Sequence, residues 1–297
     1  MLRRLLGVTL PLIPKPIVRR VASRYVAGET LDAAIAKVEE LNRRGLEVTL
    51  ALLGEEVTER ATAEAAVEEY LQVLERLEPA GLRSGISIKL TLLGLEIDET
   101  FCRDNVDRIA AAARARGNFV RIDMEDRTAT DPTLRIYRAV QEKHGNLGVV
   151  FQAYRRRTLQ DIGELPREGA NVRLCKGIYI EPRTVAWKGY ETIRHNFVQA
   201  LEKLIARGVY VGIATHDEAL VCAAVALIDR FGLPGNRYEF QMLLGVDAEL
   251  RRILLAEGHR LRVYVPYGRD WYAYSIRRLR ENPEIARHVL SAMLGRR

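Results

Sequence analysis

The chain has 297 residues, of which 48% are hydrophobic and 29% are charged; this balance excludes a disordered or fibrous protein, and the length is sufficient to bury a core without disulfides or metals. Lys and Arg total 46 against 39 Asp and Glu, so the net charge of +7 suits an anionic partner without identifying it. The length fits one α/β barrel as well as two smaller domains.

The N-terminal segment is basic. Residues 1–27 contain six Lys or Arg and no acidic residue, and three prolines interrupt its apolar stretch. The segment is too short to span a bilayer, which leaves three interpretations: a secretory signal, an arm packed on the domain, or a surface for anionic lipid headgroups. We predict that residues 1–44 form helices ahead of a single domain at 45–297.

Cysteine and histidine usage indicates the compartment and the metal content. Cys102, Cys175 and Cys222 are far apart and lack CxxC spacing, and the five histidines show no paired ligand spacing. This pattern argues against a disulfide scaffold and against a protein-bound metal. We therefore expect a cytoplasmic protein, which the basic segment could bring to the inner face of a membrane.

Short β-rich runs alternate with helical stretches along the chain. Strands are predicted at Glu47–Leu53, Gly85–Leu93, Asn118–Glu125, Leu147–Tyr154, Asn171–Tyr179, Val209–Thr215, Arg237–Leu243 and Leu261–Tyr267. Helices are predicted at Ala61–Leu77 and around 103–116, 131–143, 183–207, 217–231 and 246–257. Eight strands alternating with helices favour an α/β fold of the (β/α)8 TIM-barrel type. An open doubly wound sheet is the competing fold, but no GxGxxG follows an early strand.

Polar residues recur near the ends of the predicted strands, where the active sites of such barrels lie. They are Lys89, Asp123, Gln152, Tyr154, Arg173, Lys176, Tyr179, Thr215, His216, Glu239, Gln241 and Tyr264. Any one of them could belong to a structural ion pair. Their occurrence on almost every strand instead favours an electropositive site for a ligand with fixed negative charge.

A C-terminal helical pattern adds a second signal. Tyr274, Arg277, Arg278 and Glu281 are spaced i, i+3, i+4, i+7, which places them on one helix face. One interpretation is a solvated face with an Arg277–Glu281 pair. The other is a functional face, because paired guanidinium groups bind a carboxylate or phosphate in a bidentate manner.

The motifs on successive strands resemble those of the proline dehydrogenase family, flavin enzymes that oxidise L-proline. They are SIKLTLLG at 87–94, VRIDME at 120–125, VVFQAY at 149–154, VRLCKGIY at 172–179, IATHD at 213–217, YEFQMLLG at 238–245, YVPYG at 264–268 and YSIRRLREN at 274–282. The resemblance covers about residues 45–285. It implies a distorted (β/α)8 barrel with FAD at the carboxyl ends of the strands and the last helix over the barrel mouth.

The resemblance also implies a substrate site. The proline carboxylate would be bound by Arg277, Arg278 and Lys89, and Tyr264 and Tyr274 would pack against the pyrrolidine ring. Two carboxylates would support this site. Glu281 would hold an arginine of the pair, and Asp123 would lie beside Lys89 and keep it charged.

The implied reaction is hydride transfer from the ring carbon bonded to nitrogen to flavin N5, which yields 1-pyrroline-5-carboxylate in the first step of proline catabolism to glutamate. Arg173 would approach N5, and Gln152 would contact the pyrimidine edge of the flavin. The other implied FAD contacts are Lys176, Gly177, Thr215 and His216 along the ribityl–diphosphate arm, and Tyr179. Without the resemblance, Thr215 and His216 serve equally well as a cap on the strand end. The family usually passes its electrons to a membrane quinone.

Two other functions fit parts of the pattern. A Schiff-base lyase or aldolase on the same barrel would use Lys89 or Lys176 as its amine. A nucleic-acid or membrane-binding protein would use the net positive charge, but its basic residues interleave with acidic ones and no nucleic-acid motif is present. We therefore expect no nucleic-acid partner.

Overall fold

The computed structural model describes residues 22–166, 169–272 and 274–275. Within them, eight parallel strands form a closed barrel in chain order: β1 Glu47–Leu52, β2 Ser84–Ile88, β3 Val120–Ile122, β4 Leu147–Gln152, β5 Asn171–Cys175, β6 Tyr210–Ala214, β7 Tyr238–Leu243 and β8 Leu261–Tyr267. Pairing of β1 with β8, from Glu47 opposite Arg262 to Leu52 opposite Tyr267, closes the ring. The predicted TIM-type barrel is confirmed.

Among the described residues, a helix follows each strand from β1 to β7, and a further helix precedes the barrel. They are α1 Leu31–Arg43, α2 Arg60–Leu77, α3 Glu99–Ala115, α4 Arg127–His144, α5 Thr158–Gly163, α6 Tyr190–Ala206, α7 Glu218–Phe231 and α8 Ala248–Ala256. Helix α4 shows how the sequence sets their ends. Asp126 accepts from the Thr128 and Ala129 amides at its start, and Gly145, at φ +72°, ends it.

The apolar core lies between the strands and the helices. Its largest fully buried members include Tyr70, Tyr137, Phe197 and Phe240. The barrel interior is polar instead, since Arg121, Arg173, Glu239 and Gln241 point into it, and all are buried. Buried polar groups of this kind need hydrogen-bond or ion-pair partners. Their pairing with one another forms a network that extends from the bottom of the barrel to its mouth.

Several predicted boundaries differ from the structure. Strands β2 and β5 end at Ile88 and Cys175, earlier than predicted, because the chain turns there and places the following polar residues in loops. Helix α6 begins at Tyr190 rather than 183, and the short helix α5 was not predicted. Both errors lie in loops whose shape depends on contacts distant in sequence.

The predicted helical arm is described only in part. Helix α1 packs against β1 and β8, which agrees with a helix preceding the barrel. Residues 1–21 and 276–297 lie outside the described residues, and with them Arg277, Arg278 and Glu281 and the predicted last helix over the mouth. The boundary at residue 44 stays a prediction. None of the described helices is both long enough and apolar enough to cross a bilayer.

Candidate active site

A cavity of about 850 Å³ opens at the carboxyl ends of the strands. Every predicted site residue that the structure describes lines it: Lys89, Asp123, Gln152, Arg173, Lys176, Gly177, Tyr179, Thr215, His216, Tyr264 and Tyr274. Val150, Met242 and Leu243 add an apolar wall. This volume is in the range of small-molecule and cofactor sites, and its mixture of apolar wall and convergent polar groups is typical of them.

At the inner end of the cavity, the Asp123 carboxylate accepts hydrogen bonds from three side chains. One carboxylate oxygen accepts from Arg173 Nη1 at 2.6 Å and from Ser87 Oγ at 2.7 Å. The other accepts from the Tyr264 hydroxyl at 2.9 Å. Burial, reinforced by the negative charge of Asp123, raises the pKa of Tyr264 well above its usual value, so the phenol remains a donor.

Lys89 does not pair with Asp123, and that prediction is wrong. Among the described residues no carboxylate lies within 4 Å of the Lys89 ammonium, because the Asp123 oxygens are taken by Arg173, Ser87 and Tyr264. Lys89 does interact electrostatically with Glu125, whose pKa is raised by burial despite hydrogen bonds from Thr91 and the charge of Lys89. Lys89 lines the cavity without an ion-pair partner among the described residues.

The amide of Gln152 is held by a buried arginine that the sequence analysis missed. Its Oε1 accepts from Arg155 Nε at 2.6 Å, and its Nε2 donates to the Met124 carbonyl at 3.1 Å. Arg155 itself is paired with Glu181 at 3.2 Å. These bonds fix the orientation of the Gln152 amide group. The second N–H of Nε2 makes no hydrogen bond among the described residues and can donate to a ligand. The arginine directly follows the VVFQAY motif, but nothing in that position signals burial.

Gly177 is required by its own backbone and by a neighbour. Its φ is +105°, in a region that residues with a Cβ rarely adopt, and a Cβ there would overlap the ring of Tyr154. The glycine therefore lets the loop after β5 pack on Tyr154. This packing is a structural reason for glycine at position 177 that the sequence did not reveal. It is compatible with the predicted FAD contact of Gly177.

Thr215 and His216 both cap the end of β6. Thr215 Oγ1 accepts from the Asp217 amide at 3.1 Å, and His216 Nε2 accepts from the Leu243 amide at 3.0 Å. An Nε2 that accepts requires the neutral tautomer with its proton on Nδ1. The Thr215 hydroxyl remains a donor, so its capping role is compatible with ligand binding.

Asp217 organises the outer rim of the cavity, and the sequence analysis did not single it out. It accepts from Arg194 at 2.6 and 2.9 Å, from the Tyr190 hydroxyl at 2.8 Å and from Lys176 Nζ at 3.1 Å. Burial opposes its ionisation, but the bonds from Arg194, Tyr190 and Lys176 outweigh it and hold the pKa of Asp217 well below its usual value. The available signal was its place directly after Thr215 and His216, with Tyr190 and Arg194 spaced i, i+4.

Asp217→Asn should destabilise the protein in a pH-dependent way. A depressed folded-state pKa contributes stability above the unfolded-state value of about 4 and loses it as the pH falls through the folded value. At neutral pH we expect the free energy of unfolding to fall by about 1–3 kcal/mol, the usual contribution of hydrogen bonds to a charged group. Urea unfolding at neutral pH and near about pH 3 should show this difference shrinking with acid.

Asp104→Asn is the matched control, since Asp104 is 63% exposed and, within the described part of the chain, forms its ion pair with the adjacent Arg103. It should leave the stability unchanged at both pH values. An Asp217→Asn variant whose deficit is the same at both pH values would contradict the assigned cause.

The comparisons with known proteins show the family of this chain. The family model described as proline dehydrogenase matches residues 34–290. The chain belongs to the proline dehydrogenase family. It is 37% identical over 278 residues to a proline dehydrogenase of Deinococcus radiodurans and 36% identical over 273 residues to proline dehydrogenase 1 of Bacillus subtilis. In both cases 92% of this chain and 90% of the relative are covered.

Solved structures of proline utilization A proteins share the fold. A proline utilization A (PutA) protein from Bdellovibrio bacteriovorus matches 88% of this chain with a TM-score of 0.83 at 21% identity. A PutA variant from Bradyrhizobium japonicum matches 88% with a TM-score of 0.74 at 22% identity. The chain spans 32% and 30% of those solved chains, about a third of their length.

Proposed function

We propose that this chain is an FAD-dependent proline dehydrogenase that oxidises L-proline to 1-pyrroline-5-carboxylate, the first step of proline catabolism to glutamate. The observation that carries the proposal is the single cavity into which all the described site residues of the family motifs converge. The match to the proline dehydrogenase family over residues 34–290 supports the same reaction.

The cavity fits a flavin nucleotide in size and chemistry. Val150, Met242 and Leu243 offer an apolar wall for a ring system, while Gln152 and Arg173 offer donors at its inner end. We propose that these two residues hold the isoalloxazine, and that the ribityl–diphosphate arm is bound by Lys176, Gly177, Tyr179, Thr215 and His216. The Thr215 hydroxyl and the Lys176 ammonium are donors of the kind that a diphosphate requires. Bound FAD would supply the hydride acceptor.

The residues of the chain bind and orient the substrate. Lys89 is the described cation left for the proline carboxylate, and we propose that Arg277 and Arg278 complete the clamp, with Glu281 holding one of them. Tyr264, fixed by its bond to Asp123, and Tyr274 would cover the pyrrolidine ring and exclude water. Arg173 places a fixed positive charge at the cavity wall, where negative charge develops during the reaction.

For the electron acceptor we propose a membrane quinone, reached by a cytoplasmic protein in peripheral contact with the membrane. The support is the charge of residues 1–27, which contain six basic residues and no acidic one. Such a segment is attracted to anionic lipid headgroups.

The Schiff-base alternative has no support. Of its two candidate lysines, Lys176 donates to the Asp217 carboxylate at 3.1 Å, so its amine is held at the cavity rim rather than presented to a carbonyl substrate. The relatives described above are named proline dehydrogenases, and none is named as a lyase.

The visible spectrum of the purified protein, taken before and after adding L-proline under anaerobic conditions, tests the proposed function. We expect flavin absorption that bleaches on addition of L-proline and persists on addition of D-proline. A protein that is colourless and takes up no added FAD contradicts the proposal. A yellow protein that L-proline does not bleach contradicts the substrate.

Lys89→Met, Arg277→Met and Arg278→Met should each raise the KM for proline at least about tenfold, equivalent to about 1.4 kcal/mol, while the protein stays yellow. Each variant removes one cation of the carboxylate clamp without touching the proposed flavin contacts. Steady-state kinetics with proline measure the effect. Lys143→Met is the control, because Lys143 pairs with Asp107 on the outer helices. A wild-type KM in all three variants would refute the clamp.

A further inference from the structure

A continuous chain of polar side chains runs inside the barrel from its bottom to the cavity. Arg262 pairs with Glu47 and donates to Glu239 at 2.7 Å. The Gln241 amide donates to the same Glu239 oxygen at 2.6 Å and accepts from Arg173 Nε at 2.6 Å. The described contacts of Gln241 thus join the buried carboxylate of β7 to the arginine that faces the cavity.

Gln241 suits this position because an amide both donates and accepts. Toward Arg173 the position needs an acceptor, and toward Glu239 it needs a donor. A carboxylate would oppose Glu239, and a lysine would oppose Arg173. Gln241 and Glu239 are 5% and 2% exposed, so water does not offer replacement partners readily.

A glycine on the neighbouring strand makes room for Gln241. In the barrel register Gly212 of β6 lies between Arg173 of β5 and Glu239 of β7. A Cβ at Gly212 would overlap the Gln241 amide, although the backbone there does not require glycine. The absence of a side chain at Gly212 therefore leaves the space that Gln241 needs to reach both Arg173 and Glu239.

Hydrogen bonds at two of its nitrogens fix the plane of the Arg173 guanidinium. Nε is held by Gln241 and Nη1 by Asp123, each at 2.6 Å. Among the described residues no acceptor is bound to Nη2, which is left to a ligand in the cavity. With Asp123 alone, the guanidinium would be held at one nitrogen and could rotate about it.

We propose that Gln241 is a positioning residue that, anchored by Glu239 and admitted by Gly212, fixes the Arg173 guanidinium toward the flavin during proline oxidation. The inference rests on the proposed function, since Arg173 acts on the flavin only if FAD occupies the cavity. It adds two residues, Gln241 and Gly212, that act through the position of the Arg173 guanidinium.

Gln241→Met in the FAD-loaded enzyme tests the proposal, because Met has similar size but makes neither hydrogen bond. We expect kcat for proline to fall about tenfold, the KM for proline to stay within about twofold, and the flavin midpoint potential to become more negative. The potential shifts because a less well-placed cation stabilises the reduced flavin less. FAD should be retained.

Gln141→Met is the matched control. Gln141 also makes two hydrogen bonds with its amide, accepting from the Leu147 amide at 2.7 Å and donating to the Gly169 carbonyl at 3.2 Å, but outside the cavity. It should lower the thermal midpoint without changing kcat or the flavin potential. A purely structural role for Gln241 predicts that the two variants behave alike.

Gly212→Ala disturbs the hydrogen bonds of Gln241 from the neighbouring strand β6. This variant tests the proposal if Gln241→Met does not fold. The added methyl group should displace the Gln241 amide and shift kcat and the potential in the same direction. In a Gln241→Ala background it should add nothing, since the side chain it displaces is gone. Additive effects would overturn the proposal.

The outcomes separate the two proposals. A yellow wild-type enzyme that oxidises proline, together with a Gln241→Met variant of unchanged kcat and potential, overturns the positioning role alone. A colourless wild-type protein that takes up no FAD overturns the proposed function and the positioning role with it.

Discussion

Asp123→Asn should lower kcat/KM for proline at least about 100-fold, or about 2.7 kcal/mol of transition-state stabilisation. Three donors converge on the Asp123 carboxylate, from Arg173, Ser87 and Tyr264. An asparagine keeps the shape but turns an NH2 group toward one of them and removes the charge that pairs with Arg173. Removing one partner of a buried ion pair leaves an uncompensated charge, so the free energy of unfolding should fall by about 2–3 kcal/mol as well.

Two further variants distinguish a loss of geometry from a loss of stability. Ser87→Ala removes only one of the three donors and should lower kcat/KM less than about tenfold. Asp107→Asn removes a carboxylate that pairs with Lys143 and His144 away from the cavity, and it should leave kcat/KM unchanged. If Asp123→Asn retains wild-type kinetics, Asp123 does not organise the site.

The barrel could be predicted from the sequence because its evidence is local. Each strand is a short β-rich run, and each polar residue at a strand end is brought to the same rim by the parallel arrangement alone. That geometry is why Lys89, Asp123, Arg173 and Tyr264, which lie on or directly after four different strands, line one cavity. No contact between them had to be known in advance.

The pairing of these residues could not be predicted, because it depends on register and side-chain direction. Lys89 and Asp123 directly follow two neighbouring strands, yet Asp123 bonds to Arg173 and Tyr264 instead. The contribution of Gly212 is visible only when Arg173 and Glu239 are seen on either side of it. A glycine within a strand signals a close approach but does not say which side chain approaches.

Asp217 was missed for a related reason. Its partners Tyr190 and Arg194 are on α6, whose start the sequence misplaced. With the helix assumed to begin near 183, those two residues lie in its interior rather than in its first turns, where they reach the end of β6. The misplaced start of α6 is therefore why the hydrogen bonds around Asp217 at the outer rim were not predicted.

Arg173→Met should slow reduction of the flavin by proline at least about 100-fold and weaken FAD retention. The guanidinium is 7% exposed, is held at Nε by Gln241 and at Nη1 by Asp123, and stacks 5.2 Å from the centre of the Tyr264 ring. Methionine fills part of its volume but supplies neither the charge nor the donors. Stopped-flow absorbance gives the reduction rate, and flavin content after gel filtration gives retention. Arg108→Met, which removes an exposed pair with Glu68, should change neither. Wild-type values for both quantities in Arg173→Met would show that this charge does not act on the flavin, since no other described cation is held at the same place by both Gln241 and Asp123.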